Sequence, residues 1–237
     1  MAVGGRVYDA PKGTYTNCVY VLNRFQEWKK SLPSMPTARA YPSVFSYKLH
    51  IVSCGGVTHK ADETSYTCTT AVEIFLHEAS TWFRAEPLPV ACHSMSSTII
   101  NEECYLIAGG YSEDGGSNKA ATASLSKLIS AAHSSVPTPP VWRYIHPCPN
   151  YLSAAAELDG NLVAIGGVSE EGKFDTSLHM YIPSTDSWEE LVGSDLPQGP
   201  SLACAAQLAT GEVMVVGGKD NVEMRSVSNT VFIGTFC

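Results

Sequence analysis

The chain has 237 residues, 44% of them hydrophobic, and a formal net charge of −8. This length and composition allow a sizeable core, and no apolar stretch approaches the roughly 20 residues of a membrane-spanning helix. With only 15 basic residues, the charge balance argues against binding of nucleic acid through phosphates. The N-terminus lacks a basic stretch followed by an apolar core, so we predict no secretory signal, no membrane association and a cytoplasmic location.

Five glycine pairs divide the sequence into units of similar length. Their first members are 51, 54, 57 and 51 residues apart, and each pair ends a short apolar run. A repeat of about fifty residues in which a strand ends at a glycine pair is typical of a β-propeller. The pairs are Gly4 with Gly5, Gly55 with Gly56, Gly109 with Gly110, Gly166 with Gly167, and Gly217 with Gly218.

Each unit contains up to four short runs with the two-residue period of a β-strand. The fourth unit is the best formed. Its strands are predicted at 153–158, 162–165, 177–182 and 188–191, with a tight hairpin turn at Asp159, Gly160 and Asn161. In chain order, we expect one propeller domain over 1–237, with units at approximately 1–36, 37–90, 91–149, 150–198 and 199–237.

The first and last units are incomplete. The chain begins inside a second strand and stops after a third strand at 230–236, which gives about 18 strands in all. Two explanations stay open, a five-bladed ring with a seam or a piece of a longer protein, and we favour the piece. An unpaired sheet edge at each end would also invite pairing with a partner.

A tryptophan opens the fourth strand in four of the five units. An indole can fill the wedge between neighbouring sheets, and loss of a buried one would cost roughly 3–5 kcal/mol. The glycine pairs are expected where inner strands leave a crowded centre, because glycine permits positive φ and close backbone approach. We therefore predict a structural role for the glycine pairs and for the tryptophans, which are Trp28, Trp82, Trp142 and Trp188.

These features resemble those of the Kelch-repeat family. Residues 215–218 match the family's strand with its glycine pair, and residues 177–188 match its tyrosine, turn and tryptophan. Residues 32–39, including Arg39, match the link between two blades. The resemblance implies an all-β fold: a Kelch-type propeller of four-stranded antiparallel blades, with about five blades present.

Several units depart from this pattern, and some lack the tyrosine or the link arginine. The largest departure is the segment 121–141, which is about ten residues longer than expected between a third and a fourth strand. Leu125, Leu128 and Ile129 sit at helical spacing there. We predict a lengthened outer loop, with a one-turn helix as the first alternative and a functional insert as the less favoured one.

Motifs of catalysis are missing from the sequence. It has no metal-hydrolase histidine motif, no nucleophile elbow and no glycine-rich phosphate loop. Its eight cysteines form no Cys-x-x-Cys motif, and we interpret them as buried thiols, with disulfides or a zinc site as alternatives. We predict no catalytic residue, no metal site and no cofactor, and hence no enzyme. The alternative is a propeller enzyme with a site in a central channel, similar to galactose oxidase.

The loops that follow the glycine pairs are the candidate binding surface, because loops on a rigid scaffold carry recognition. They combine tyrosines with charges of both signs, and aromatic anchors dominate the energetics of interfaces. The predicted partner-binding residues are Tyr8, Arg39, His59, Tyr66, Tyr111, Asp114, Phe174, Asp220 and Arg225.

The resemblance implies a non-catalytic protein-interaction module. In the family generally, the propeller recognises a client while an attached domain determines the client's fate, often through a ubiquitin ligase. We expect a protein or peptide client of acidic or mixed charge, and an adaptor or substrate-recognition role with a ubiquitin-ligase component as one candidate partner. An actin-binding cytoskeletal scaffold is the other alternative, which the acidic balance disfavours.

Overall fold

The structure is a computed structural model that describes residues 2–7, 14–30, 32–59, 66–107, 120–132, 140–219 and 228–234. Backbone proximity groups these residues into two compact units. Unit 1 comprises the described residues up to His93 together with 125–132 and 140–142. Unit 2 comprises the remaining described residues, which are 94–107, 120–124, 143–219 and 228–234.

Short strands build unit 1, and their bounds are β1 (Ala2–Val7), β2 (Thr14–Leu22), β3 (Trp28–Lys29), β4 (Ser43–Tyr47), β5 (His50–Cys54), β6 (Val57–His59), β7 (Tyr66–Cys68), β8 (Val72–Leu76) and β9 (Thr81–Arg84). The first three form one antiparallel sheet, and β4, β5, β8 and β9 form a second sheet in that order. The strands β6 and β7 form a separate antiparallel hairpin that the sequence pattern did not predict. Strand β8 lies between β5 and β9 and is buried along its whole length.

Three further sheets belong mainly to unit 2, and their strands are β10 (Ser96–Ile100), β11 (Glu103–Ile107), β12 (Ala120–Ser124), β13 (Trp142–Ile145), β14 (Ala154–Leu158), β15 (Asn161–Ile165), β16 (Leu178–Ile182), β17 (Ser187–Glu190), β18 (Cys204–Gln207), β19 (Val213–Val216) and β20 (Val231–Gly234). The strands are paired in chain order, as β10 to β13, β14 to β17 and β18 to β20. Each of the five main sheets lies within one predicted repeat unit.

The predicted fold class is confirmed, since the chain folds into antiparallel blades of about four strands. Of the twenty described strands, two form the additional β6–β7 hairpin, and the others match the expected number of about 18. The four strands predicted for the fourth unit are present as β14 to β17. Asp159 and Gly160, with φ of 49° and 80°, form the predicted two-residue turn between β14 and β15.

In three of the glycine pairs, the second glycine lies close to the link that leads into its own sheet. Gly56 has a φ of 102°, and a Cβ there would lie 2.7 Å from the carbonyl oxygen of Ala40. Gly167 has a φ of 104°, and a Cβ there would lie 2.7 Å from the carbonyl oxygen of Tyr151. A side chain at either position would therefore collide with backbone as well as strain its own φ.

Apolar side chains of consecutive sheets pack together within each unit. In unit 1, Val19 of the first sheet and Met35 of the following link pack with Ile51, Phe75 and Trp82 of the second sheet. In unit 2, one cluster joins the third and fourth sheets, and another joins the fourth and fifth. The faces of the sheets, rather than their edges, thus form the core.

Three of the four tryptophans have the same hydrogen bond. The indole Nε1–H of Trp82 donates to the carbonyl of Pro33 at 2.8 Å, and those of Trp142 and Trp188 donate to carbonyls in the two following links. Trp82 and Trp142 are buried, and Trp188 is half-buried. The side chain of Trp28 is instead 55% exposed, so the prediction that it fills a wedge between sheets does not fit its placement.

The long segment between β12 and β13 contains an α-helix, α1 (Leu125–Ala132). Its eight residues make about two turns, which corrects the prediction of a lengthened loop with at most one helical turn. Leu125 and Leu128 are fully buried. Because residues three apart lie on one side of a helix, these two leucines stabilise α1 by burying that side.

Candidate functional site

Four of the nine predicted partner-binding residues lie in the described part of the chain, and they are distributed over both units. Arg39, His59 and Tyr66 belong to unit 1, and Phe174 belongs to unit 2. The remaining five, Tyr8, Tyr111, Asp114, Asp220 and Arg225, lie outside the described residues, as do the structural glycines Gly109 and Gly110.

Arg39 lies in the interior of unit 1. Its side chain is 0% exposed, and its Nη2 lies 2.9 Å from a carboxylate oxygen of Glu73, which is equally buried. The guanidinium also donates to the carbonyls of Ala71 and Ser53, and the hydroxyl of Thr37 donates to Glu73. Burial lowers the pKa of Arg39, and the negative charge of Glu73 opposes that effect. Arg39 thus connects the link to the second sheet through hydrogen bonds and an ion pair. Because its side chain is buried, this placement does not fit the predicted contact with a partner.

Two hairpins of unit 1 meet through aromatic side chains. In the first hairpin, Arg6 of β1 pairs with Tyr15 of β2. In the second, His59 of β6 pairs with Tyr66 of β7. The rings of Tyr15 and His59 stack, with centroids 4.5 Å apart and an interplanar angle of 30°. We call these four residues the two-hairpin surface.

The side chains of the two-hairpin surface are largely exposed, and the strands that carry them are held in place by contacts within unit 1. The side chain of Tyr66 is 68% exposed, Arg6 and His59 are also exposed, and Tyr15 is half-buried. The hydroxyl of Thr58, next to His59, donates to a carbonyl of the preceding link at 3.0 Å. This hydrogen bond and the ring stack hold β6 against the rest of unit 1, so the exposed rings are preorganised.

A second aromatic pair borders the start of β6. The residue before Tyr41 forms an antiparallel bridge with Val57, and the N–H of Gly56 donates to the carbonyl of Cys92, the residue before His93. The rings of Tyr41 and His93 have centroids 6.3 Å apart, and Tyr41 is 50% exposed. Burial lowers the pKa of His93, which favours a neutral imidazole. The base of the second hairpin is therefore aromatic as well.

Phe174 belongs to a loop of unit 2 that is held by its neighbours. Its backbone bridges to Val168, and its side chain is half-buried. Asp175, the next residue, accepts hydrogen bonds from the Asn150 side chain at 2.9 Å and from the Ser177 N–H at 2.8 Å. Burial raises the pKa of Asp175, but these hydrogen bonds outweigh it and hold the pKa below its usual value. The loop is thus ordered by its own polar contacts.

The chemistry offered by the two-hairpin surface suits recognition. Its aromatic rings can stack on a polypeptide segment, and its imidazole can form a hydrogen bond with it. Its guanidinium can attract carboxylates of that segment or lie over its aromatic rings. Among the residues that the structure describes, no three His, Cys, Asp or Glu side chains are grouped so that they could hold a metal ion. In the same part of the chain, no helix is long and apolar enough to cross a membrane.

The predicted binding loop after the first glycine pair contains Arg6 and Tyr15. Neither of these residues nor Tyr41 was selected as a partner-binding residue. Arg6 directly follows the first glycine pair, and Tyr15 lies opposite Arg6 across the hairpin. Tyr41 lies two residues after the link arginine. An aromatic residue close to a glycine pair or a link is the signal that would have identified both tyrosines. Which hairpins touch, however, depends on the packing of two repeats.

The sheets and their packing define a β-propeller, and a solved structure supports this class. The structure titled "Structure of YjhT" matches this chain with a TM-score of 0.73 and 14% sequence identity. The match covers 98% of this chain and 80% of that one. At this identity the likeness shows the fold alone.

Sequence comparisons find similarity to Kelch-repeat proteins. The profile of the Kelch motif matches residues 149–193. Two relatives, each named Kelch repeat protein C2, come from cowpox virus (strain GRI-90 / Grishak) and camelpox virus (strain CMS). Each is 23% identical over 225 residues, and the match covers 90% of this chain and 41% of the relative. The chain therefore contains a Kelch motif and is similar to Kelch repeat proteins, and it spans less than half the length of these relatives.

Proposed function

We propose that the protein is a non-catalytic interaction module that binds a peptide segment of a partner protein at the two-hairpin surface. The observation that carries this proposal is the 68% exposure of Tyr66 beside the stacked rings of Tyr15 and His59. A large aromatic side chain on a short, braced strand loses little conformational freedom on binding, which is why such residues act as anchors.

The charges of the surface indicate the kind of segment it binds. Arg6 supplies a permanent positive charge, and His59 supplies a ring nitrogen for hydrogen bonding. The chain as a whole carries a net charge of −8, so the positive charge of Arg6 is a local feature of this surface. A segment that pairs carboxylates with an apolar or aromatic side chain fits the rings and the guanidinium together, which agrees with a client of acidic or mixed charge.

An adaptor role extends this proposal to a longer product. Because the chain spans 41% of its relatives' length, other domains of such a product would act on the client that this module selects. A ubiquitin-ligase component is the partner class implied by the family resemblance. A cytoplasmic setting is part of the same proposal.

A peptide selection with matched variants tests the binding surface. Peptides selected from a random phage-displayed library on the purified chain are expected to lose at least tenfold in affinity for Tyr66→Ala, because the anchor ring is removed. Phe25→Ala is the matched control, since Phe25 is also 68% exposed and lies in unit 1. The Tyr66→Phe variant is expected to retain most of the affinity. Equal losses for Phe25→Ala and Tyr66→Ala would contradict the proposed surface.

A further inference from the structure

A cleft of about 380 Å³ opens in unit 1 beside the base of the second hairpin. It lies among three parts of the fold, which are the link into the second sheet, the start of β8 and the end of β9. Its lining begins with Thr69, the residue directly after β7. The lining residues that carry the argument are Thr37, Thr69, Thr70, Ala71, Val72 and Arg84. All six belong to unit 1, so the cleft is a feature of that unit.

The positive charge of the cleft comes from Arg84. Its side chain is exposed and has no hydrogen bond or ion pair within the part of the chain that the structure describes. Its partner across β8 and β9 is Glu73, and directly opposed residues place their side chains on the same face of a sheet. Whether Arg84 keeps a net positive field therefore depends on what the carboxylate of Glu73 already binds.

The carboxylate of Glu73 is occupied by other groups. It accepts a hydrogen bond from Arg39 at 2.9 Å and one from the hydroxyl of Thr37 at 2.6 Å. The side chains of Arg39 and Glu73 are both 0% exposed. Glu86, which follows β9, accepts the N–H of the residue before β13 instead. Because none of the described residues that line the cleft is acidic, the charge of Arg84 is not neutralised there.

Two threonine hydroxyls complete a set of hydrogen-bond donors. The hydroxyl oxygen of Thr69 accepts the N–H of Ala71 at 3.1 Å. The proton of that hydroxyl therefore remains to be donated to a ligand, since a hydroxyl can accept and donate at once. Thr70 adds a second hydroxyl to the lining. A guanidinium beside hydroxyl donors is a combination that binds oxyanions through charge-assisted hydrogen bonds.

The backbone around the cleft is held in place, and its acceptors are already used. The carbonyls of Thr70 and Val72 accept N–H groups from the segment after β9, at 2.8 and 2.9 Å. The carbonyl of Ala71 accepts the buried guanidinium of Arg39 at 2.8 Å. These bonds fix the positions of the threonines before a ligand arrives, which reduces the entropic cost of binding.

We propose that this cleft binds the phosphoryl group of a phosphorylated side chain in a partner protein. The guanidinium of Arg84 pairs with two phosphoryl oxygens, and the hydroxyls of Thr69 and Thr70 donate to the phosphoryl group. A phosphoryl group offers three acceptor oxygens and between one and two negative charges at neutral pH, so it uses this donor set more fully than a carboxylate does.

The polypeptide nature of this ligand rests on the proposed function, whereas the oxyanion site does not. Thr69 follows Tyr66 by three residues, which is roughly 10 Å along an extended chain. A single partner segment can therefore place an apolar or aromatic side chain on the two-hairpin surface and a phosphorylated side chain in the cleft. Phosphorylation of that segment would then control how tightly the module binds it.

Nuclear magnetic resonance of the isotope-labelled chain tests the cleft itself, with N-acetyl phosphothreonine amide as the probe. The probe is expected to shift the backbone amide signals of residues 69–72 and 84–87. Arg84→Gln is expected to weaken its binding at least about tenfold, and Arg84→Lys, which keeps the charge but loses the planar fork, about threefold. Arg24→Gln is the matched control, an exposed arginine of unit 1 outside the lining. Equal affinities of the wild type and Arg84→Gln would overturn the proposal.

Random peptide libraries that carry one fixed phosphoserine, phosphothreonine or phosphotyrosine test the partner. Compared with the same libraries without phosphate, they are expected to bind at least about tenfold more tightly, and Arg84→Gln is expected to abolish this preference. If phosphorylation changes nothing while Tyr66→Ala still weakens binding, the cleft proposal fails and the proposed function stands. If the phosphate preference persists and Tyr66→Ala has no effect, the cleft stands and the two-hairpin surface fails. Inorganic phosphate that binds as tightly as the phosphopeptides would identify a small phosphate compound as the ligand and overturn the proposed partner.

Discussion

Two hairpin turns have similar backbone conformations, but the second turn residue, whose φ is positive, is glycine in one and glutamate in the other. Asp159 and Gly160 join β14 to β15 with φ of 49° and 80°, and Asn101 and Glu102 join β10 to β11 with φ of 49° and 64°. Both pairs have the positive φ values of a type I′ turn, in which glycine is preferred at the second position. Glu102 therefore holds a conformation that its Cβ disfavours.

Replacement of Glu102 by glycine is expected to stabilise the protein by about 1 kcal/mol relative to Glu102→Ala. The alanine variant removes the carboxylate but keeps the disfavoured φ, so the difference between the two variants reports the relief of backbone strain minus the larger unfolded-state entropy of glycine. Urea unfolding measures it. In the matching turn, Gly160→Ala is expected to destabilise by a similar amount, because a Cβ there meets no atom within 4 Å and only the φ is strained. Identical stabilities of the two Glu102 variants would contradict this account.

Arg39 shows what a single position in the sequence does and does not reveal. The match of 32–39 to a link located this residue correctly between the first and second sheets. The sequence could not show that Glu73, 34 residues later, lies at 2.9 Å from it in the interior. A long charged side chain is usually exposed, and only the tertiary pairing makes burial tolerable. The structure thus places one of the predicted contact residues inside the fold, whereas His59 and Tyr66 lie at the surface.

At the scale of elements, regular repeats were predictable and insertions were not. The strands β14 to β17 and the turn at Asp159 follow from alternation and turn chemistry, which are local. The β6–β7 hairpin was missed because each of its strands has only three residues, too few for alternation to be recognised. Helix α1 was underestimated because only Leu125, Leu128 and Ile129 marked it, and their burial depends on packing. The candidate site rests on that missed hairpin, so the sequence supplied two of its residues but not their assembly.

The tryptophans provide a matched test of how links attach to sheets. Trp82→Phe removes the indole N–H from the carbonyl of Pro33, and is expected to cost about 1–3 kcal/mol, because the carbonyl loses its donor and the smaller ring leaves a gap. Trp28→Phe is expected to change stability by less than about 0.5 kcal/mol, because Trp28 is 55% exposed. Chemical unfolding curves measure both. Equal costs would show that the indole hydrogen bond does not attach the link.

At the scale of the whole molecule, the thiols report which parts of the fold are closed to solvent. Of the seven described cysteines, Cys54, Cys92, Cys104 and Cys148 are buried, and none of the seven is joined in a disulfide. Burial raises the pKa of Cys104 and of Cys148 to about 12. For these two, the interpretation as small buried hydrophobic groups fits both the placement and the chemistry. Cys204 is exposed on the fifth sheet.

Alkylation of the native protein with iodoacetamide at pH 8 is expected to modify Cys204 within minutes and Cys104 and Cys148 at least about a hundredfold more slowly. The thiolate is the reactive form, so a buried thiol of raised pKa reacts only when the sheet around it opens. Peptide mass spectrometry measures each site, and denatured protein, in which all eight cysteines react, is the control. Rapid modification of Cys104 while Cys148 stays slow would show that the third sheet opens on its own. Rapid modification of both Cys104 and Cys148 would contradict the packing of the third sheet on the fourth.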